Sequence, residues 1–198
     1  MVPETAFRSE ERFTQRQFRT WLSHRAAADS SRYELIDGQI VMDPPAGWPH
    51  GRIESKLVRW LEEHVETNRL GIVQGSSAGY ELPSGDTVEP DVSFVSHQRL
   101  GHGPQPQRGR FLKVVPNLVV EILSASTARR DRLEKPGIYA RNGVDEYWLV
   151  DERNQTVTVC RLGTSGYANS TFRKGTVRST LLPGLRISVA RLFELIAK

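Results

Sequence analysis

The stretch Pro116-Asn117-Leu118-Val119-Val120-Glu121-Ile122-Leu123-Ser124 constrains this chain more than any other. It is short, apolar, rich in β-branched residues and bounded by turn formers. Such a run reads as a strand buried on both faces. One carboxylate, Glu121, sits inside it. Burying an unpaired carboxylate is costly, so the group is normally neutralised, paired or bound to a metal. Two plainer readings stand beside a site: an edge strand that turns Glu121 to solvent, or a pair with a nearby arginine.

Two flanking stretches favour a site. Val88-Glu89-Pro90-Asp91-Val92-Ser93-Phe94-Val95 reads as part of another strand, from Thr87 to Val95, with an acid near its start. Pro90 is tolerated there because the beginning of a strand can spare an amide donor. Downstream, Thr127 to Lys135 is a basic segment of helical composition that follows the Glu121 strand directly. Acids on two strands with a lysine within reach suit a hard cation. Mg²⁺ typically takes one or two carboxylates and fills its shell with water and phosphate.

Pro90-Asp91, then Glu121 in a buried strand, then a lysine resembles the PD-(D/E)XK nuclease superfamily. Five phrases bring the resemblance closer, to the Uma family of proposed endonucleases. They are Tyr33-Glu34-Leu35-Ile36-Asp37-Gly38, His50-Gly51, Pro90-Asp91-Val92-Ser93-Phe94, Val119 to Ser124, and Gly143 to Asp151, in that order. The likeness runs from about Tyr33 to Arg161. It implies a restriction endonuclease-like α/β (α+β) fold: a mixed β-sheet core flanked by helices, with β-hairpins on its N- and C-terminal sides. One such domain would span residues 1–198. It also implies a Mg²⁺- or Mn²⁺-dependent endodeoxyribonuclease in which Asp91 and Glu121 hold the metal. Glu34 would join the acidic cluster, and His50 would contact phosphate or carry a proton.

One departure stands out. The superfamily places a lysine two residues after the glutamate, and this chain has Leu123 there. Strand residues alternate faces, so positions 121 and 123 share one. The nearest later lysine is Lys135, fourteen residues beyond Glu121. A helix folding back over the strand's carboxyl end would let Lys135 hold the attacking water or stabilise charge on phosphorus. The plainer reading pairs a solvated Lys135 with Asp131 at i,i+4. A nuclease-like fold that grips DNA or a protein without cutting is the competing class. Hydrolysis of a small phosphoester is a third.

Composition sets the frame. A length of 198 residues favours one domain, and 38% hydrophobic with 25% charged residues is ordinary for a globular chain. Cys160 is alone, which excludes an intrachain disulfide and a cysteine zinc cluster. A net charge of +4 and a sequence pI near 9.5 suit a polyanion partner. The resemblance makes that partner DNA and leaves a homodimer open. Arg129, Arg130 and Arg132, with Arg108 and Arg110 in the Gly- and Pro-rich loop Gln98–Lys113, would contact backbone phosphates. Such contacts give affinity without sequence choice. That loop reads equally as a solvated insertion. Met1 to Ala6 lacks a signal-peptide pattern, and no run approaches the ~20 apolar residues of a membrane span. The expected location is the cytoplasm.

Further elements follow from local rules. Thr14 caps a helix whose Phe18, Trp21 and Leu22 share a face. Asp37-Gly38 between two apolar runs predicts a type I′ hairpin. Asp43 to Pro49 is a stiff loop leading to an amphipathic helix over 52–68, ended by Gly71. Glu54 there reads as a surface group and His64 as a packing residue. Pro136-Gly137 predicts a break near Lys135. Strand, helix and strand from Leu118 to Val150 predict a parallel crossover.

Overall fold

A computed structural model describes residues 7–25 and 29–194. Residues 1–6, on which the leader reading rests, lie outside the described residues. The elements run α1 (Gln15–Ser23), β1 (Arg32–Ile36), β2 (Gln39–Asp43), α2 (His50–Thr67), β3 (Gly71–Gly75), β4 (Tyr80–Glu81), β5 (Thr87–Val88) and β6 (Val92–Ser96). They continue with α3 (His97–His102), β7 (Leu118–Leu123), α4 (Ala128–Leu133), α5 (Lys135–Arg141), β8 (Glu146–Asp151), β9 (Thr156–Gly163) and β10 (Gly166–Phe172). The chain closes with β11 (Thr176–Val177), β12 (Ile187–Ser188) and α6 (Val189–Phe193).

The main sheet has six strands in the order β10-β9-β8-β7-β6-β3. Its β7–β8 pair is parallel and the rest are antiparallel, so the sheet is mixed, as expected. The Glu121 strand therefore lies in the interior of the sheet, every residue of it buried, which removes the solvent-edge reading. Its residues alternate. Leu118, Val120 and Ile122 enter a core with Ile53, Leu57, Leu61 and Val65 of α2 and Leu192 of α6. Val119 and Leu123 face a second core with Ile36, Val41, Tyr80, Ile138 and Tyr139. That second core joins the main sheet to a small antiparallel sheet, β2-β1-β5-β4, and to α5. Glu121 points to this second side.

The local rules hold at α1 and the hairpin. Thr14 and Gln17 form a capping box, and Asp37 and Gly38 take the two positive φ angles of a type I′ turn, 48° and 79°. The chain breaks between α4 and α5 at Glu134, as Pro136 requires.

Three expectations need correction. The single strand Thr87–Val95 is two strands, β5 in the small sheet and β6 in the main one. Pro90 has no N–H to continue a ladder, so the chain crosses between sheets at Glu89-Pro90-Asp91. Gly71 does not end α2. Asn68 caps the helix and Arg69 takes the left-handed turn at φ 52°. Gly71 instead opens β3, where a Cβ would stand 2.0 Å from the Val95 carbonyl oxygen. The loop Gln98–Lys113 is not irregular throughout, because α3 occupies its start and Ser96 Oγ accepts the Arg99 N–H.

Candidate active site

The chain's crossing at Asp91 and the carboxyl half of β7 meet by register. Val92 pairs with Val120, so Asp91 arrives opposite Glu121 on the same side of the sheet. Asp91 Oδ2 accepts the Ile122 N–H at 2.7 Å, which locks the carboxylate to the neighbouring strand. His50, at the mouth of α2, brings Nε2 to 3.2 Å from Asp91 Oδ1. From β1, Arg32 donates to the same Oδ1 at 2.8 Å. These groups line a cavity of about 320 Å³ with the Asp43–Gly47 loop on one side and Ser124–Thr127 on the other.

Lys135 sits at the floor. Its Nζ lies 2.7 Å from Glu121 Oε1, 3.0 Å from Glu34 Oε1 and 3.6 Å from Asp131 Oδ1. The side chain is 2% exposed. It is therefore no solvated helix lysine, although the Asp131 contact is present as one of three. Tyr139, one turn along α5, donates to the same Glu121 oxygen at 2.7 Å. Glu34 is fully buried behind the lysine and accepts the Glu89 N–H at 2.9 Å.

The electrostatics follow from this crowding. Burial works against the Lys135 ammonium, but Glu121, Glu34 and Asp131 outweigh it and hold its pKa above the usual lysine value. Burial pushes the Glu121 carboxyl up; Lys135 opposes, while Asp131, Asp91 and Glu34 push the same way as burial. Asp91 goes the other way. Burial alone would raise it, yet His50, Arg32 and the Ile122 amide bring it down to about 2. Burial lowers the His50 pKa, and the Asp91 carboxylate more than reverses that.

These residues fit a divalent cation. Five buried carboxyl groups, of Glu34, Asp43, Asp91, Glu121 and Asp131, surround three cations, Arg32, Arg130 and Lys135. Asp131 Oδ1 and Glu34 Oε2 are buried without a hydrogen bond. Among the described residues no three acid, histidine or cysteine groups converge to hold an ion unaided. Carboxylate oxygens are donors a hard divalent cation takes, its shell completed by water and phosphate oxygens.

The sequence profile of the Uma2 family, described as "Putative restriction endonuclease", matches residues 16–190. The chain belongs to that family. A crystal structure described as "a putative nuclease belonging to DUF820 from Anabaena variabilis ATCC 29413" matches this Uma2 chain with a TM-score of 0.76. Identity is 22%, over 92% of this chain and 98% of that one, and the likeness shows the fold. No curated protein matches the chain.

In this Uma2 chain the five acid, histidine and lysine candidates, Glu34, His50, Asp91, Glu121 and Lys135, fall in one cluster. The arginines divide. Arg129, Arg108 and Arg110 are exposed. Arg132 is half-exposed and pairs with Asp151. Arg130 departs from expectation: it is 6% exposed and grips both oxygens of Asp43, with Glu34 at 3.6 Å, so its charge is spent inside the acid cluster. Arg99, one of the loop's cations, is bound by the Val115, Pro116 and Gly143 carbonyls and Asp145, at the opposite end of β7 from Lys135. Arg110 lines a separate groove with Arg19, Gly79 and Phe111. Sequence reading missed Arg32, Asp43 and Tyr139. Alternation offered the first, since Arg32 shares the face of Glu34, and hairpin register pairs Arg32 with Asp43. Tyr139 had a helical signal, four residues after Lys135.

Proposed function

We propose that the chain is a metal-dependent phosphodiester hydrolase of the PD-(D/E)XK kind, a DNA endonuclease of the cytoplasm. The observation that carries this reading is the Lys135 ammonium on Glu121, opposite Asp91, in an acid-rich cavity. Lys135 supplies from α5 the cation that position 123 lacks. Asp91 and Glu121 would hold Mg²⁺ or Mn²⁺. A bound divalent ion lowers the pKa of water and polarises a phosphoryl oxygen. Lys135 stays charged there and stabilises the negative charge that grows on phosphorus, the kind of electrostatic term that usually dominates. Glu34 and Asp131 fix the ammonium's position. His50, beside Asp91, can give a proton to the leaving oxygen. Arg129 and Arg132 suit backbone phosphates, which carry no sequence information. One such cavity per chain fits nicking, and a homodimer would bring a second to the other strand.

Supercoiled plasmid incubated with Mg²⁺, Mn²⁺ or EDTA tests the reading. Nicking is expected with metal and not with EDTA. Glu121→Gln, which keeps the shape, should cut at least about 100-fold more slowly while still binding duplex. A wild type that binds DNA and leaves it intact with every ion would favour the non-cutting module.

A further inference from the structure

Arg32 opens β1 and reaches the cavity two residues before Glu34 on the same strand face. Its bond to Asp91 Oδ1 is its one side-chain hydrogen bond among the described residues. A guanidinium carries five N–H donors, so most of this one's are unused. Two other inward-facing arginines each make more side-chain hydrogen bonds. Arg99 meets three carbonyls and a carboxylate, and Arg130 takes both oxygens of Asp43. Arg32 is 22% exposed, against 6% for Arg130.

Asp91 is in the opposite position, with both oxygens committed. Oδ2 accepts the Ile122 N–H, and Oδ1 takes Arg32 and the nearby His50. The oxygen a cation would need is the one Arg32 occupies. A divalent ion and a guanidinium on one carboxylate oxygen repel each other.

We propose that Arg32 is a two-position guanidinium: it neutralises Asp91 in the ion-free protein and turns to a nucleic-acid phosphodiester when a divalent ion takes Asp91. This rests on the hydrolase reading above. The planar fork suits two phosphate oxygens, and turning toward them uses N–H groups that Asp91 leaves idle. Ion and DNA then favour each other beyond simple charge, because each makes Arg32 available or keeps it occupied. By linkage the coupling is reciprocal.

The test is calorimetric Mn²⁺ titration of the DNA-free protein, with duplex binding measured in EDTA and in Ca²⁺. In Arg32→Gln the competitor for Asp91 is gone, so Mn²⁺ should bind about threefold to tenfold tighter than to wild type. Duplex affinity should be nearly unchanged in EDTA and fall about tenfold in Ca²⁺. A purely structural arginine would weaken Mn²⁺ binding with the fold, and weaker or equal Mn²⁺ binding overturns the proposal. If Arg32→Gln does not fold, Arg32→Lys carries the test. It keeps the charge, so Mn²⁺ affinity should match wild type, yet it lacks the fork, so the Ca²⁺-dependent gain in duplex affinity should shrink; an intact gain overturns the proposal. A wild type that binds Mn²⁺ but cuts nothing sinks the hydrolase reading while the Arg32 competition still reads out. A wild type that takes no Mn²⁺ overturns the competition itself.

Discussion

Glu121 receives two hydrogen bonds, from Lys135 Nζ and Tyr139 Oη, and both fall on Oε1. Oε2 receives neither bond, and under the proposed function it would meet the cation. Tyr139→Phe removes one of the two tethers without changing shape. It should lower stability by about 1 kcal/mol and slow cutting about tenfold, with duplex affinity unchanged; equal rates would make the phenol a packing group. Glu89, half-buried beside this cluster, is pushed up to about 7 from its usual 4.5, by burial first and by Glu34 next, against Arg32, Arg25 and Lys135. The folded chain thus keeps this proton longer than the unfolded one. Its contribution is favourable at low pH and is lost as pH rises from about 4.5 to about 7. Glu89→Gln should therefore exceed wild type in stability by about 3 kcal/mol at pH 8 in EDTA, with the gap closing by pH 5. Melting curves at the two pH values decide it, and a gap of the same size at both would show that ionisation of Glu89 is not the cause.

At the scale of elements, the α4–α5 break does most to build the site. Pro136 forces the chain to restart there, and the restart puts Lys135 at the head of α5, over the Glu121 strand. The break was legible in the sequence because proline acts locally. What α4 presents was not. Arg129, Arg130 and Arg132 look alike in a basic run, yet Arg130 alone turns inward to Asp43 of β2, a partner 87 residues away. Arg130→Ala should cost about 3–5 kcal/mol, since it strands the buried Asp43 without its cation. Arg129→Ala with Arg132→Ala should shift stability by no more than about 1 kcal/mol. It should instead reduce the slope of log affinity against log salt by about 0.9 for each phosphate no longer neutralised. Thermal melts and salt-dependent duplex binding separate the two outcomes.

For the whole molecule, one sheet carries two cores, and the site lies at the border of the second, where the small sheet and α5 cover β7. Among the described residues no helix is long and apolar enough to cross a membrane. Periodicity and turn chemistry determined the elements: the buried β7, the Thr14-capped helix, the Asp37-Gly38 hairpin and the restart at Lys135 each depend on residues within a turn or two. The sequence also marked which acids, histidine and lysine to watch, because a charged group in an apolar pattern has to be compensated. It did not determine their compensation. Whether Glu121 met an arginine, solvent or Lys135 depended on how the fourteen following residues folded back. The split of Thr87–Val95 between two sheets and the use of Gly71 as a close-approach residue beside Val95 depended on strands distant in sequence. So did the hold of Arg32 on Asp91, 59 residues apart. Hydrogen-bond partners and charge pairs across such separations are set by packing, and packing exists only once the chain has closed on itself.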